Sequence, residues 1–131
     1  MENSVMDQFL AWEAKFRPEI KFIGEMLAQK LSDDPNSLTN DLRDAESWYA
    51  RAGYLLAHSN STLAKFELSA MVPKEGRTEK DREVQLRADS APIRLVRDIL
   101  EHYCESIKSR LMTGMSLLAY YRQLSESKQG G

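Results

Sequence analysis

With 131 residues, 42 % of them apolar and 29 % charged, the chain has enough material for one domain with a modest core and no apolar run near the ~20 residues a membrane span needs. Its net charge of −2 is unevenly spread. Residues through Trp48 carry 5 basic and 10 acidic side chains and those from Tyr49 onward carry 13 and 10, so a polyanion would be met by the second half. Only 6 glycines and 4 prolines are present, few turns can be built, and long helices are expected. The N-terminus lacks the basic start and apolar block of a signal peptide. The single Cys104 cannot form an internal disulfide, which fits a reducing, cytoplasmic setting.

Ser4 with Asp7 three residues on reads as a helix cap. Val5, Phe9, Trp12, Phe16, Ile20, Ile23 and Leu27 then recur at helical spacing. Pro18 falls inside this run, so the segment is either one kinked helix or two helices with Pro18 in the first turn of the second. The aromatic cluster Phe9, Trp12, Phe16 and Phe22 reads first as core or subunit interface and second as a binding surface. Residues 32–37 are a polar turn.

The second long helix is expected from near Thr39 to about Met71, with a seam of Leu42, Ala45, Tyr49, Ala52, Leu56, Ser59, Leu63, Phe66 and Ala70. His58 lies beside that seam and reads as a surface or hydrogen-bonding histidine rather than a ligand. Pro73-Lys74-Glu75-Gly76 is a helix stop. Thr78 opens a short helix through about Ala88. Asp89-Ser90-Ala91-Pro92 then caps the last helix, unless Pro92 only bends one continuous helix.

In the last helix, every seventh residue from Ile93 gives Ile93, Leu100, Ile107, Gly114 and Tyr121. The partner row is Val96, Tyr103, Arg110, Leu117 and Leu124. Alternating steps of three and four form a coiled-coil seam that another helix must cover. Leu95, Ile99, Leu111, Met115 and Leu118 widen the stripe beyond what one partner covers. The expected fold is therefore all-α: a long antiparallel, coiled-coil-like helical hairpin with an N-terminal helical segment, assembling into an oligomer. One domain spans 1–131, with the N-terminal segment over 1–35, the hairpin over 39–72 and 78–126, and a flexible tail over 127–131. Arg110 and Gly114 break the apolar rule one turn apart. They are expected to mark an interface layer between subunits, with Leu111, Met115, Leu118 and Tyr121 beside them. Glu67 is a partner for Arg110 if the register permits.

Catalytic constellations are weak. His102 and Cys104 lie two apart on different sides of a helix, and there is no cysteine pair, HExxH or Gly-rich phosphate loop. A non-enzymatic protein without metal or cofactor is expected. The stronger signal is basic: Lys65, then Lys74, Arg77, Lys80, Arg82, Arg87, Arg94 and Arg97, with Glu75, Glu79, Asp81, Glu83 and Asp89 intervening. Lys65, Lys74, Arg77, Lys80, Arg82 and Arg87 are the candidate nucleic-acid contacts. Repeated around an oligomer, such a tip would follow the phosphates of a single strand. The competing reading is that these charges pair with the neighbouring acids and solubilise the tip.

The block Tyr103-Cys104-Glu105-Ser106-Ile107-Lys108-Ser109-Arg110, followed by a final helix ending near Tyr121, resembles the C-terminal region of the UvsY family, recombination mediators of tailed phages. Leu63-Ala64-Lys65-Phe66-Glu67-Leu68, leading into a glycine-containing basic turn, resembles that family's single-strand-binding segment. The resemblance covers about Leu63 to Tyr121. It implies a small, all-helical, ring-forming protein that binds single-stranded DNA, displaces the hold of single-strand-binding protein and loads a RecA-like recombinase. If the chain is phage-encoded, its place is the host cytoplasm. Lys65 falls where the family has a DNA-contacting lysine, and Glu67 falls where it has an arginine. The rival expectation is a phage-type regulatory or structural protein, an inhibitor or assembly factor, that acts by protein–protein interaction.

Overall fold

The computed structural model describes residues 4–70 and 78–130, in which four helices pack against one another and no strand occurs among the described residues. Helix α1, Val5–Leu27, starts where the Ser4 side chain accepts a hydrogen bond of 3.0 Å from the Asp7 amide. It passes through Pro18 as one helix. Pro18 is on the exposed side, so its ring and missing N–H meet water rather than the core.

Helix α2, Pro35–Ala70, begins earlier than Thr39. Asp34 caps it, accepting from the Ser37 amide at 2.9 Å, and Pro35 fills the first turn, where no amide donor is required. What reads as a loop by composition is thus half cap and first turn. The true connection, residues 28–34, is tied to α2 by Asp41, whose carboxylate accepts from the Ser32 amide and hydroxyl at 3.0 and 2.6 Å.

Helix α3, Glu79–Asp89, opens on Thr78, which accepts from the Asp81 amide at 3.1 Å. Helix α4, Ala91–Gly130, follows immediately, with Ser90 as the break. Met71 to Arg77, and with them the expected stop at Pro73–Gly76, lie outside the described residues.

The most extensive packing is between α2 and α4. Leu42 lies against Gly114, and Glu67 reaches Arg94, so the two run in opposite directions. On α4, Ile93, Leu100, Ile107 and Gly114 are all buried, which is the expected seven-residue row as far as Gly114. Each isoleucine or leucine so buried contributes about 1.5–3 kcal/mol relative to exposure. The row fades after that, since Tyr121 is half-buried and Leu124 exposed.

The seam of α2 needs correction at its centre. The buried residues are Leu38, Leu42, Ala45, Ala52, Leu55, Ser59 and Leu63, whereas Tyr49 and Ala70 are exposed and Leu56 only half-buried. The row Leu38, Ala45, Ala52 and Ser59 keeps its seven-residue spacing, and the stripe widens toward Leu55 and Trp48, where Phe22 of α1 covers Trp48, while Leu56 still packs at the edge of the core. Buried Ser59 satisfies its hydroxyl on the Leu55 carbonyl at 3.1 Å.

Helix α1 lies along both long helices. Phe22 meets Trp48 and Trp12 meets His58, so α1 runs opposite to α2. Tyr103 rests on Gly24, where the missing side chain lets the phenol reach the backbone of α1. Arg110 donates to the Gln29 carbonyl at 2.6 Å, just past the α1 C-terminus. Phe9, Leu63 and Ile93 form one core cluster, and Ile23, Ala45, Ala52, Leu55, Leu100 and Ile107 the other.

Candidate nucleic-acid interface

The end of the molecule where α2 finishes, α3 lies and α4 starts carries the described part of the expected basic tip. Lys65 is exposed near the end of α2. Lys80 and Arg87 are exposed on α3, seven residues apart and on one face with Val84, which is 63 % exposed. Arg82 is half-buried beside Ala70 and Leu86, and its Nε is buried with no hydrogen-bond partner. Among the described residues no carboxylate lies within ion-pair distance of Lys65, Lys80, Arg82 or Arg87. Lys74 and Arg77 lie outside the described residues.

Two cations counted with the tip are already neutralised. Arg94 donates from Nη2 to Glu67 at 2.7 Å, and Arg97 pairs with its neighbour Asp98 at 2.8 Å. Glu67 is therefore the partner of Arg94, not of Arg110. The register decides this: with Leu42 against Gly114, Glu67 falls near the start of α4 rather than its middle. Helix α3 also carries Glu79, Asp81, Glu83 and Asp89 against Lys80, Arg82 and Arg87, so α3 alone is not positive. Its charges are only partly sorted by face. Lys80, Val84 and Arg87 share one side with Glu83, while Asp81, Gln85 and Asp89 share another, with Gln85 donating to Asp89 at 2.8 Å.

The junction of α3 and α4 is a hydrogen-bond relay. The Ser90 side chain is fully buried, donates to the Arg87 carbonyl at 3.3 Å and accepts from Arg94 Nε at 2.8 Å. One guanidinium thus joins the ends of α2, α3 and α4. Nothing in a one-dimensional pattern shows this relay; its only trace is a serine between two helical runs followed four residues later by an arginine.

The residues expected at a subunit interface divide. Arg110 and Gly114 are engaged within the chain, on the Gln29 carbonyl and under Leu42. Leu111 packs on the core edge, Leu118 and Tyr121 are half-buried, and Met115 is 62 % exposed. A groove of about 610 Å³ runs between the end of α1 and α4, lined by Lys21, Glu25, His102, Tyr103 and Arg110 among others.

A second cluster lies along α1 and α2. His58 stacks on Trp12 with centroids 4.3 Å apart and an interplanar angle of 14°. Burial, and secondarily the charge of Lys65, push the His58 imidazole below its ordinary pKa. Arg51 pairs with Glu19 and lies 5.4 Å from the Phe16 ring and 5.0 Å from that of Tyr54. Cys104 is half-buried, and burial, with Glu101 and Glu105 beside it, raises its thiol pKa. No group of three metal-ligating side chains comes together among the described residues, and no described helix is long and apolar enough to cross a membrane. The chain matches no protein-family model, no curated protein and no solved structure, so its likeness to the UvsY family is carried by the quoted residues alone.

Proposed function

We propose that this chain is a single-stranded DNA-binding recombination mediator that helps load a RecA-like recombinase onto DNA held by single-strand-binding protein, in the cytoplasm of a host cell. The observation that carries this reading is the set Lys65, Lys80, Arg82 and Arg87, cations with no carboxylate at ion-pair distance among the described residues. Cations at one end of a helical body, unpaired among the described residues, are what a phosphate backbone requires. In this reading α2 and α4 form a coiled-coil-like hairpin, and copies assemble through the outer side of α4 with Leu111, Met115, Leu118 and Tyr121, so the tips repeat and reinforce one another.

The test is fluorescence anisotropy with a labelled single strand at two salt concentrations. Four phosphate contacts give a slope of about −2.8 in log K against log salt, so binding weakens about 50-fold between 50 and 200 mM. Replacing Lys65, Lys80 and Arg87 by alanine lowers that slope by about 2. No binding at 50 mM salt overturns the reading.

The second reading is a regulatory or structural protein that binds another protein. It is favoured by the exposed large side chains Leu95, Met112, Met115 and Tyr120 on α4. Light scattering separates self-assembly from monomer: assembly through α4 predicts a multimer that Met115→Glu dissociates.

A further inference from the structure

We propose that the joint face of α1 and α2 is a base-stacking platform for single-stranded nucleic acid, continuous with the cationic end through Lys65. The inference rests on the function proposed above and assigns the bases a place, where that proposal assigns one only to the phosphates.

Arg51, Tyr54, His58 and Lys65 follow at steps of three, four and seven, so they share one strip of α2. Along the facing edge of α1, Phe22 meets Trp48 at 5.0 Å, Phe16 lies against Arg51, and Trp12 stacks on His58. The strip from Trp48 to Lys65 spans about 25 Å at 1.5 Å per residue, room for several nucleotides. Two of its rings are not core residues: Phe22 is 49 % and Tyr54 57 % exposed. Singly, such exposure is ordinary. Here Tyr54 lies beside the Arg51 guanidinium, which also lies beside Phe16, Lys15 is over Phe16 at 5.4 Å, and Phe22 extends the row beside Trp48.

The charges choose the occupant. The platform carries Lys15, Arg51 and Lys65, and its one acid, Glu19, is held by Arg51. Asp44 and Glu25 stand at the far end, beyond Trp48. Flat rings with cations beside them suit a strand that offers a π-face and a phosphate at each step.

The experiment uses the full chain with a labelled oligothymidine and an abasic strand of equal length. Tryptophans 12 and 48 are the only two in the chain and both sit on the platform, so oligothymidine binding should quench intrinsic fluorescence and the abasic strand should not. Phe22→Ala with Tyr54→Ala should weaken oligothymidine binding about tenfold or more, leave abasic binding and the salt slope unchanged, and retain the wild-type thermal midpoint within a few degrees. Tyr54→Phe should bind like wild type. Equal binding of both strands, unaffected by the double substitution, overturns the platform and leaves the cationic end standing. No binding of either strand at low salt overturns both and favours a protein partner for these rings.

Discussion

The middle of the molecule and its α3 end are built on different physics. In the middle, Ile93, Leu100, Ile107 and Gly114 of α4 are buried in succession against α2, and α1 closes the remaining side. At the α3 end no residue of the helix is fully buried, and among the described residues its attachment is half-buried Arg82 and Leu86 together with the short relay from Glu67 through Arg94 to Ser90. Apolar burial is non-directional and large, so it sets the register of the long helices. Hydrogen bonds at such a junction contribute about 0.5–1.5 kcal/mol each and set only an angle. A surface meant to meet a flexible strand is better placed on the second kind of structure, because it can adjust without unfolding the first.

The largest test of this contrast removes side chain from each region. Ile107→Ala leaves a cavity in the main cluster and should lower unfolding free energy by about 3 kcal/mol in urea titration. Val84→Ala on α3 should change it by less than about 0.5 kcal/mol. Equal losses would mean that α3 is cemented to the body. Next come the glycines, which report how closely the helices approach. A methyl at Gly24 would collide with the Tyr103 hydroxyl and lie 3.1 Å from the ring carbon that bears it. A stiff ring cannot yield, so Gly24→Ala should cost about 2 kcal/mol despite its helix propensity. At Gly114 the collision is with a methyl of Leu42, a flexible tip, and the cost should be about 1 kcal/mol. Adding Leu42→Ala should then remove the penalty specific to the Gly114 methyl, which a double-mutant cycle measures as coupling.

Much of this architecture was legible in the chain and much was not, for reasons that differ by residue. The row from Ile93 to Gly114, the caps at Ser4 and Thr78 and the break before Pro92 follow from periodicity and local chemistry, and the structure contains them. The start of α2 is not legible because Asp34-Pro35 can read as a turn or as a cap followed by a first turn, and only the hydrogen bond from the Ser37 amide to Asp34 decides. Tyr49 belongs to the seam by seven-residue spacing but is exposed, because α1 lies on the Trp48 side of α2 and draws the buried stripe toward it. Arg110 and Gly114 read as an interface layer from the seam alone, whereas Arg110 reaches the Gln29 carbonyl, 81 positions away in sequence, and Gly114 lies under Leu42 of α2, contacts that no spacing contains. The basic tip was visible as a count of charges, but the pairing of Arg94 with Glu67 depends on a register that no count contains.

The relay itself gives the next prediction. Ser90→Ala removes the acceptor of Arg94 Nε and one donor to the Arg87 carbonyl, at a site fully buried. The global loss should be about 1 kcal/mol. The informative readout is local: amide exchange should quicken along residues 79–89 while α2 and α4 keep their protection. Exchange that quickens everywhere would show that the relay braces the whole body.

The smallest effect concerns His58, which is half-buried, links α1 to α2 through Trp12 and stands between the packed middle and the charged end. Burial first, and Lys65 second, hold its folded pKa below the ordinary value of about 6.5. The unfolded chain therefore binds the proton more readily than the folded one, and acid favours unfolding. This contribution is complete above about pH 6.5 and is lost as pH falls through that value toward the lower folded pKa. Glu13 acts in the same direction at lower pH: its hydrogen bond from Arg17 depresses its pKa, so its share is lost only below the ordinary carboxylate range. Urea midpoints at pH 7.5 and 5.5 isolate the histidine. The wild type should be less stable at pH 5.5, and His58→Phe, which keeps a ring on Trp12 but cannot take a proton, should flatten the difference. An unchanged pH dependence in His58→Phe would place the titrating group elsewhere and leave the Trp12 stack with a packing role only.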